Sequence, residues 1–301
     1  MSDVDRDEVT GTDTTGHEWD GIKELNTPLP RWWLWTFYAT VIWAIGYMVL
    51  YPAWPLIESA TPGVLGWSSR AELTQEVATA YEEQGELRQA IEASSLEEIR
   101  SDQDLLQFAV AGGRSAYAVN CVQCHGSGAA GDVGYPNLND DAWLWGGTLD
   151  DIYFTLKHGI RFEQDFDTRF SEMPAFGRDE LLDDEQINDV SDYVLSLSGL
   201  EHDPAAATRG QAVYQQECVI CHGESGGGDR TQGAPALNDA IWLHGGDKET
   251  IVDVVTNSRR GVMPAWGHRL DDATIKKLTI YVHALGGGEQ TAPAEPLAGG
   301  E

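Results

Sequence analysis

Basic residues are scarce in this 301-residue chain: 19 Lys and Arg stand against 49 Asp and Glu, a formal charge of −30. That deficit argues against nucleic acid as a partner, because phosphate contacts need clustered positive charge. A surplus of this size points either to a cationic partner or to saline surroundings that screen the repulsion. Cysteine is also scarce, with four in all, which excludes a disulfide-dense secreted scaffold. Methionine likewise numbers four. Apolar side chains are not lacking: at 42% of the residues they suffice for folded cores, and the length allows two modest domains plus extras.

Charge is missing altogether from residues 32–57, WWLWTFYATVIWAIGYMVLYPAWPLI. These 26 residues exceed the ~20 that cross a bilayer core as a helix. Trp32, Trp33 and Trp35 stand at one end and Tyr47, Tyr51 and Trp54 at the other, forming the two aromatic belts of a spanning helix. Pro28 and Pro30 precede the run, and Pro52 and Pro55 close it. An acidic prelude precedes it and no small-residue cleavage site follows, so the run reads as an uncleaved span rather than a signal peptide. Lys23 and Arg31 flank its start and only Arg70 follows it, a slight lean towards a cytoplasmic N-terminus.

Self-comparison shows one unit used twice. The first copy has CVQCHG at 121–126, LND at 138–140, WLWGG at 143–147 and MPAFG at 173–177. The second has CVICHG at 218–223, LND at 237–239, WLHGG at 242–246 and MPAWG at 263–267. The first copy is 9 residues longer between its Gly-Gly and its Met, a loop insertion within residues 158–170. Each copy opens with a short helix (GRSAYAVN, GQAVYQQE) and closes with an amphipathic one, at 186–199 and 273–287. Residues 70–110 are helical in composition, with Ser68 or Ser69 and then Ser101 or Asp102 as caps, and read as a spacer against the membrane face or a partner. Residues 200–206 form a hinge between the copies.

C-x-x-C-H occurs in both copies, at Cys121, Cys124 and His125 and at Cys218, Cys221 and His222. Two thiols three positions apart can each add to a vinyl group on one porphyrin edge, and the adjoining His then lies beneath the iron. A redox C-x-x-C does not require the His, and a zinc site needs further ligands at close spacing. The pattern predicts two covalently bound haem c groups, attached through Cys121, Cys124, Cys218 and Cys221, with His125 and His222 as axial ligands to iron. Met173 and Met263 share one repeat position and are the candidate sixth ligands, since Met1 is the initiator and Met48 lies in the span. A thioether ligand raises the potential and suits electron transfer. His17, His158, His202, His244, His268 and His283 recur at no matched position. With every ligand position assigned, no catalytic residue is expected.

Pro136, Pro235, Trp143 and Trp242 recur between His and Met as candidate haem walls, the alternative being residues that simply complete the fold. Arg161, Arg259 and Arg260 are candidate propionate partners or solvated loop residues. Covalent haem attachment takes place outside the bacterial cytoplasm, so the haem domains are expected in the periplasm and the span is N-in, C-out. The expected fold class is all-α, one N-terminal transmembrane helix followed by two tandem cytochrome c domains. The expected divisions are a cytoplasmic acidic segment (1–31), the span (32–57), a helical spacer (58–110), the first cytochrome domain (111–199), the second (207–286) and a disordered tail (287–301).

Over about residues 20–286 the chain resembles the di-haem subunit III family (CcoP/FixP) of cbb3-type cytochrome c oxidases. The most specific portions are DGIKELNTPLPRWW at 20–33, the aromatic span, YPAWP at 51–55 and LGWSSR at 65–70. The resemblance implies a bacterial inner-membrane subunit that takes electrons from a cytochrome c donor. It would pass them through a mono-haem partner subunit to a haem–copper catalytic subunit, which reduces oxygen to water and pumps protons. It also implies exchanged methionines, Met263 serving the haem of Cys121 and Cys124 and Met173 that of Cys218 and Cys221. Spacing alone is equally compatible with each Met serving its own copy, and both assignments stand at this point. The alternative function is a free-standing membrane-anchored di-haem shuttle. A di-haem peroxidase would need an open iron, against which the two equivalent Met segments weigh.

Overall fold

The computed structural model of the chain describes residues 5–290, in two compact units, Met1–Glu83 and Gln84–Glu301. In the first unit, β1 (Thr14–Trp19) and β2 (Ile22–Leu25) pair as an antiparallel hairpin. Its two-residue loop is Asp20 and Gly21, both at positive φ, the backbone that lets flanking strands keep their twist. The acidic composition of this stretch predicts no element, and the Asp-Gly pair is the sequence signal for the hairpin.

α1 (Arg31–Leu50) is 20 residues long, which at 1.5 Å per residue is about 30 Å, the thickness of a bilayer core. It is apolar around its whole circumference, and none of its residues is buried. Aromatic rings one turn apart stack along it, Trp33 on Phe37 at 5.5 Å and Trp43 on Tyr47 at 5.4 Å. The Thr36 and Thr40 hydroxyls donate to the carbonyls of Trp32 and Phe37, which satisfies them inside the helix. The helix stops seven residues before the end of the expected 32–57 span. Tyr51 is extended, and Pro52 and Pro55 have no N–H to continue the ladder. The chain then folds back, and the amides of Val64 and Leu65 donate to the carbonyls of Val49 and Leu50 at 2.9 and 3.1 Å. Two carbonyls that a helix end leaves without partners are thereby satisfied. α2 (Ser69–Glu83) completes this unit.

The second unit is helical. In order it contains α3 (Gly85–Ala93), α4 (Leu96–Ser101), α5 (Gln103–Asn120), the single turn α6 (Val122–His125), α7 (Leu149–His158) and α8 (Asp184–Leu197). There follow α9 (Pro204–Glu217), the single turn α10 (Val219–His222), α11 (Lys248–Asn257) and α12 (Asp272–His283). Part of the acidic surplus sets the helix starts. Asp102, Asp183, Asp203, Asp247 and Asp271 cap α5, α8, α9, α11 and α12, and Ser95 with Glu98 forms a capping box on α4.

The packed bodies are not the two sequence repeats. α5 and α7 of the first repeat pack against α12, the last helix of the second, whereas α8, the last helix of the first, packs against α9 and α11. One core thus joins Tyr117, Cys121, Ile152 and Leu156 to Ile275, Leu278 and Val282. The other joins Phe176, Ile187, Val190 and Val194 to Tyr214, Ile251 and Val255. The expected divisions at 111–199 and 207–286 follow the repeats, but the closing helices have changed places. The reason is local: only residues 198–203 separate α8 from α9, so α8 lies on the helix that follows it.

Both exchanged contacts cross at a glycine. A Cβ on Gly113 of α5 would stand 2.2 Å from the Lys277 carbonyl oxygen, and one on Gly210 of α9 would stand 1.9 Å from that of Asp189. The two glycines hold the same repeat position, four residues before Tyr117 and Tyr214. Backbone approaches this close leave no room for a side chain.

Three further expectations need correction. The spacer of 58–110 is not one element, because α3 and α4 bury Ile91, Leu96 and Ile99 with Ala109, Leu149, Ala273 and Ile280 in the second unit. α5 runs unbroken through the expected boundary at 110, and α9 begins inside the expected hinge of 200–206 because Asp203 caps it at Pro204. The tail expected to be disordered from 287 is held over its first four residues. The Trp143 indole N–H donates to Gly287, the Glu289 amide donates to Gly147, and the Glu289 carboxylate accepts from the Gly147 amide, at 2.6, 2.8 and 2.8 Å. Residues 291–301 lie outside the described residues.

Gly210→Ala should therefore cost about 2 kcal/mol or more, by forcing α8 and α9 apart. In the haem-loaded chain the thermal midpoint, followed by circular dichroism, should fall by roughly 5 °C. Gly128→Ala, with no atom within 4 Å of the added methyl, is the control and should leave the midpoint unchanged.

Candidate functional site

Each C-x-x-C-H motif is one helical turn inserted at the end of a longer helix. The Cys121 carbonyl accepts from the amides of Cys124 and His125 at 3.1 and 2.9 Å, and the Cys218 carbonyl accepts from Cys221 and His222 at 3.2 and 2.9 Å. Residues three and four apart share a helix face, so each turn aligns two thiols and an imidazole. Burial pushes the Cys121 thiol up to about 11, with Cys124 adding to it. Burial, with Glu217 and Cys221, does the same for Cys218, also to about 11. Reactive or metal-binding cysteines show the opposite shift, so these environments suit a neutral thioether.

The imidazoles are fixed by the prolines of the repeat. His125 Nδ1 donates to the Pro136 carbonyl at 3.0 Å, and His222 Nδ1 donates to the Pro235 carbonyl at 3.0 Å. Because a carbonyl only accepts, Nδ1 carries the proton and each Nε2 keeps its lone pair. Burial lowers both histidines below the usual imidazole range, against the opposing pull of the carbonyl, which keeps them neutral. The sequence offers Pro136 and Pro235 as haem walls or as residues that complete the fold; in the structure their carbonyls orient the two imidazoles. Trp143 packs against the Tyr117 core and Trp242 against the Tyr214 core.

The methionines follow the exchanged helices. Met263 packs in the cluster of Tyr117, Cys121 and Val122, and Met173 in that of Tyr214, Cys218 and Val219. The crossover is tied on the backbone: Ile160 and Met263 exchange both N–H···O bonds at 3.0 Å, and the Phe176 amide donates to Val255 at 3.0 Å. Arg161 brackets both methionine segments, its guanidinium donating to Gly261 at 2.7 Å and to Ser171 at 3.0 Å. Each acceptor lies two residues before a methionine. Arg260 pairs with Glu172 across the same crossover, and Arg259 pairs with Asp253. The sequence offered these arginines as propionate partners or loop residues; the structure gives all three partners within the chain.

The two pockets also meet through matched residues. The Gly134 amide donates to the Leu243 carbonyl at 2.7 Å, and the His244 ring lies beside Gly134. A Cβ at Gly233 would stand 2.2 Å from the Trp145 indole. Trp145 and His244 are the same position of the repeat, as are Gly134 and Gly233, so the contact is an approximate two-fold.

A haem c fits this chemistry: paired thiols on one turn, an imidazole with a free Nε2, a thioether in the same apolar cluster. Used twice and carried behind a membrane-length helix, these features define the class of membrane-anchored di-haem c-type cytochromes. Comparison with known proteins narrows the class. Residues 11–58 match the family described as the N-terminal domain of cytochrome oxidase-cbb3, FixP. Residues 110–198 match cytochrome c, and residues 205–282 match cytochrome c oxidase, cbb3-type, subunit III. The chain is 53% identical over 276 residues to the Cbb3-type cytochrome c oxidase subunit CcoP of Cereibacter sphaeroides, covering 92% of this chain and 95% of that one. It is 54% identical over 288 residues to the subunit FixPc of Rhizobium leguminosarum bv. viciae (96% and 100%), and 52% over 283 to FixP of Rhizobium meliloti (94% and 97%). The chain belongs to the CcoP/FixP family, the di-haem cytochrome c subunits of cbb3-type oxidases, and carries two covalently bound haem c groups.

One titration follows from the pocket walls. The Tyr117 and Tyr214 hydroxyls donate to the carbonyls of Gly126 and Gly223, the residues just after each C-x-x-C-H, at 2.9 and 2.8 Å. Burial, then Cys121 and Tyr281, pushes Tyr117 up to about 12; burial, then Cys218 and Tyr193, does so for Tyr214. Tyrosine in an unfolded chain ionises near 10. Above about pH 10 the unfolded chain sheds a proton that the folded chain keeps, so stability is full below that value and declines towards 12. Tyr117→Phe and Tyr214→Phe should each cost about 1 kcal/mol at neutral pH through the lost hydrogen bond, and should flatten the alkaline decline. Urea midpoints at neutral pH and at about pH 11 would reveal both effects.

Proposed function

We propose that this chain is the electron-entry subunit of its oxidase. It accepts electrons from a cytochrome c donor and relays them through its two haems towards the mono-haem and haem–copper subunits, where oxygen is reduced to water. In this reading Cys121 and Cys124 attach one haem and Cys218 and Cys221 the other, with His125 and His222 as axial ligands. The methionines are exchanged, Met263 completing the haem of Cys121 and Cys124 and Met173 that of Cys218 and Cys221. The observation that carries the reading is the packing of each methionine with the other repeat's cysteine, Met263 with Cys121 and Met173 with Cys218.

The bound haems supply reversible one-electron chemistry. The protein's part is to hold and insulate. The Pro136 and Pro235 carbonyls fix the imidazole tautomers, Arg161 holds both methionine segments in register, and the apolar clusters exclude water. With a His and a Met assigned to each iron, the subunit has no oxygen-reducing centre of its own. The topology assigned is a single pass through the bacterial inner membrane, N-terminus cytoplasmic and haem domains periplasmic. Its support is the extracytoplasmic chemistry of haem attachment and the position of Lys23 and Arg31 before α1. The charge of −30 is read as a guide for a basic donor.

The exchange has a direct test. In a chain with Cys218 and Cys221 both replaced by Ala, only the first haem stays attached. There Met263→Ala should remove the thioether–iron absorption band and lower the potential by tenths of a volt, on the order of the span that axial ligands control. Met173→Ala should leave that haem unchanged; the reverse result means that each methionine serves its own repeat. The donor assignment is tested by stopped-flow reduction with a basic cytochrome c. The association rate should drop about tenfold or more between low and high ionic strength. A flat response removes the steering role and leaves saline surroundings as the account of the charge.

A further inference from the structure

We propose that His158, Asp165 and Asp167 form a binding site for a divalent cation of the zinc class, with His268 holding the far oxygen of the Asp165 carboxylate. None of these residues belongs to the haem-attachment set. The three side chains each bring a donor atom within 4.8 Å of the other two. His158 Nδ1 lies 3.1 and 3.3 Å from the Asp165 oxygens, and His268 Nε2 lies 2.9 Å from Oδ2. Ligands on a tetrahedral zinc with bonds of 2.0–2.1 Å stand about 3.3 Å apart, so His158 and Asp165 are already at ligand spacing.

The site is built rather than accidental. The Asp165 side chain is 10% exposed and that of His158 19%, whereas Asp167 faces solvent, so the donors are walled on one side and open to entry on the other. The Asp167 amide donates to Asp165 Oδ1 at 2.9 Å, and the Asp165 amide donates to Phe162 at 3.0 Å, which fixes the loop around the carboxylates. One imidazole with two carboxylates matches neither the thiolate sites of soft ions nor the all-oxygen cages of calcium, and suits zinc. His268 takes the place of the outer hydrogen-bond partner that orients a ligating carboxylate.

The second core is an internal comparison. The last residue of α7, His158, corresponds to Asn257, the last residue of α11. His268, five residues after Met263, corresponds to Arg178, five after Met173. There the Arg178 guanidinium donates to the Asn257 carbonyl at 3.4 Å, and no carboxylates stand in for Asp165 and Asp167, which come from the insertion unique to the first copy. Among the described residues the donor set thus exists in one core only. Three of its members belong to the first repeat and His268 to the exchanged arm. A bound cation would staple that arm beside the Ile160–Met263 backbone pair.

The test uses the full-length, haem-loaded chain, stripped with a chelator and then dialysed against micromolar Zn2+. Zinc per haem is measured for the wild type, Asp167→Asn, His158→Gln and His268→Gln, with the haem spectrum reporting that each is folded. The wild type should bind one Zn2+ more than Asp167→Asn or His158→Gln. His268→Gln should keep the stoichiometry and bind about tenfold or more weakly. Zinc should raise the thermal midpoint of the wild type and not that of Asp167→Asn. Equal uptake by the wild type and the first two variants would overturn the site, as would the absence of saturable uptake; either would leave a pair of histidines hydrogen-bonded to one carboxylate.

Discussion

The short connection at residues 198–203 is the constraint on which the haem-bearing unit depends. α8 ends at Leu197 and α9 starts at Pro204, and Asp203 both caps α9 and donates its amide to the buried Asp192 carboxylate at 3.1 Å. Six extended residues reach at most about 20 Å, so the two helices stay neighbours. Once α8 is committed to α9, α5 has lost its own closing helix and α12 is the remaining partner. The positions of Met173 and Met263 follow, because each lies just ahead of the helix that has moved.

What makes the exchange specific is a set of close, directional contacts laid over ordinary apolar packing. Gly113 and Gly210 let backbone meet backbone at two equivalent crossings. Ion pairs then distinguish them: Asp189 binds Arg209 and Asp192 binds Lys248 at 2.7 Å at one crossing, whereas Lys277 at the other lies over the Phe108 ring. Burial holds the Lys277 ammonium below its usual range, with Arg88 adding to the effect. The apolar residues of α8 and α12 are similar enough to fill either core, so the polar partners carry much of the discrimination.

Much of this was legible in the sequence. The two C-x-x-C-H motifs, the matched methionines and the charge-free run are statements about residue type and spacing, and they announce themselves locally. The partner of each methionine is not local. It depends on which of two similar amphipathic helices reaches α5, and periodicity describes a helix's own face without naming the face it meets. Asp20 and Gly21 were a readable turn that the strong acidic composition around them concealed. Ile91, Leu96 and Ile99 looked like the apolar edge of a spacer until Ala273 and Ile280 from the far end of the chain closed over them. The Gly-rich composition at 286–288 read as loose, yet Trp143 and Glu289 hold that stretch through bonds that composition cannot foresee. Arg161 stands out in the sequence only by its charge, whereas in the structure it joins the backbone carbonyls of Ser171 and Gly261, which lie far apart in the chain.

The crossing of α12 onto α5 also orders events during synthesis. A chain emerging from its N-terminus presents Cys121, Cys124 and His125 early, but α5 and α7 are left with an open apolar face until residues 263–283 have followed. The second core has the opposite history, since α8 waits beside α9 and needs only α11 to close. Closure therefore runs from the later half back to the earlier one, against the direction of chain growth. Loop-closure entropy makes the long return slow rather than unfavourable, because its cost rises only with the logarithm of the intervening length. A chain cut short between His222 and α12 would keep both attachment motifs and still lack a finished first core, so completion of that core reports that the polypeptide has been made through α12.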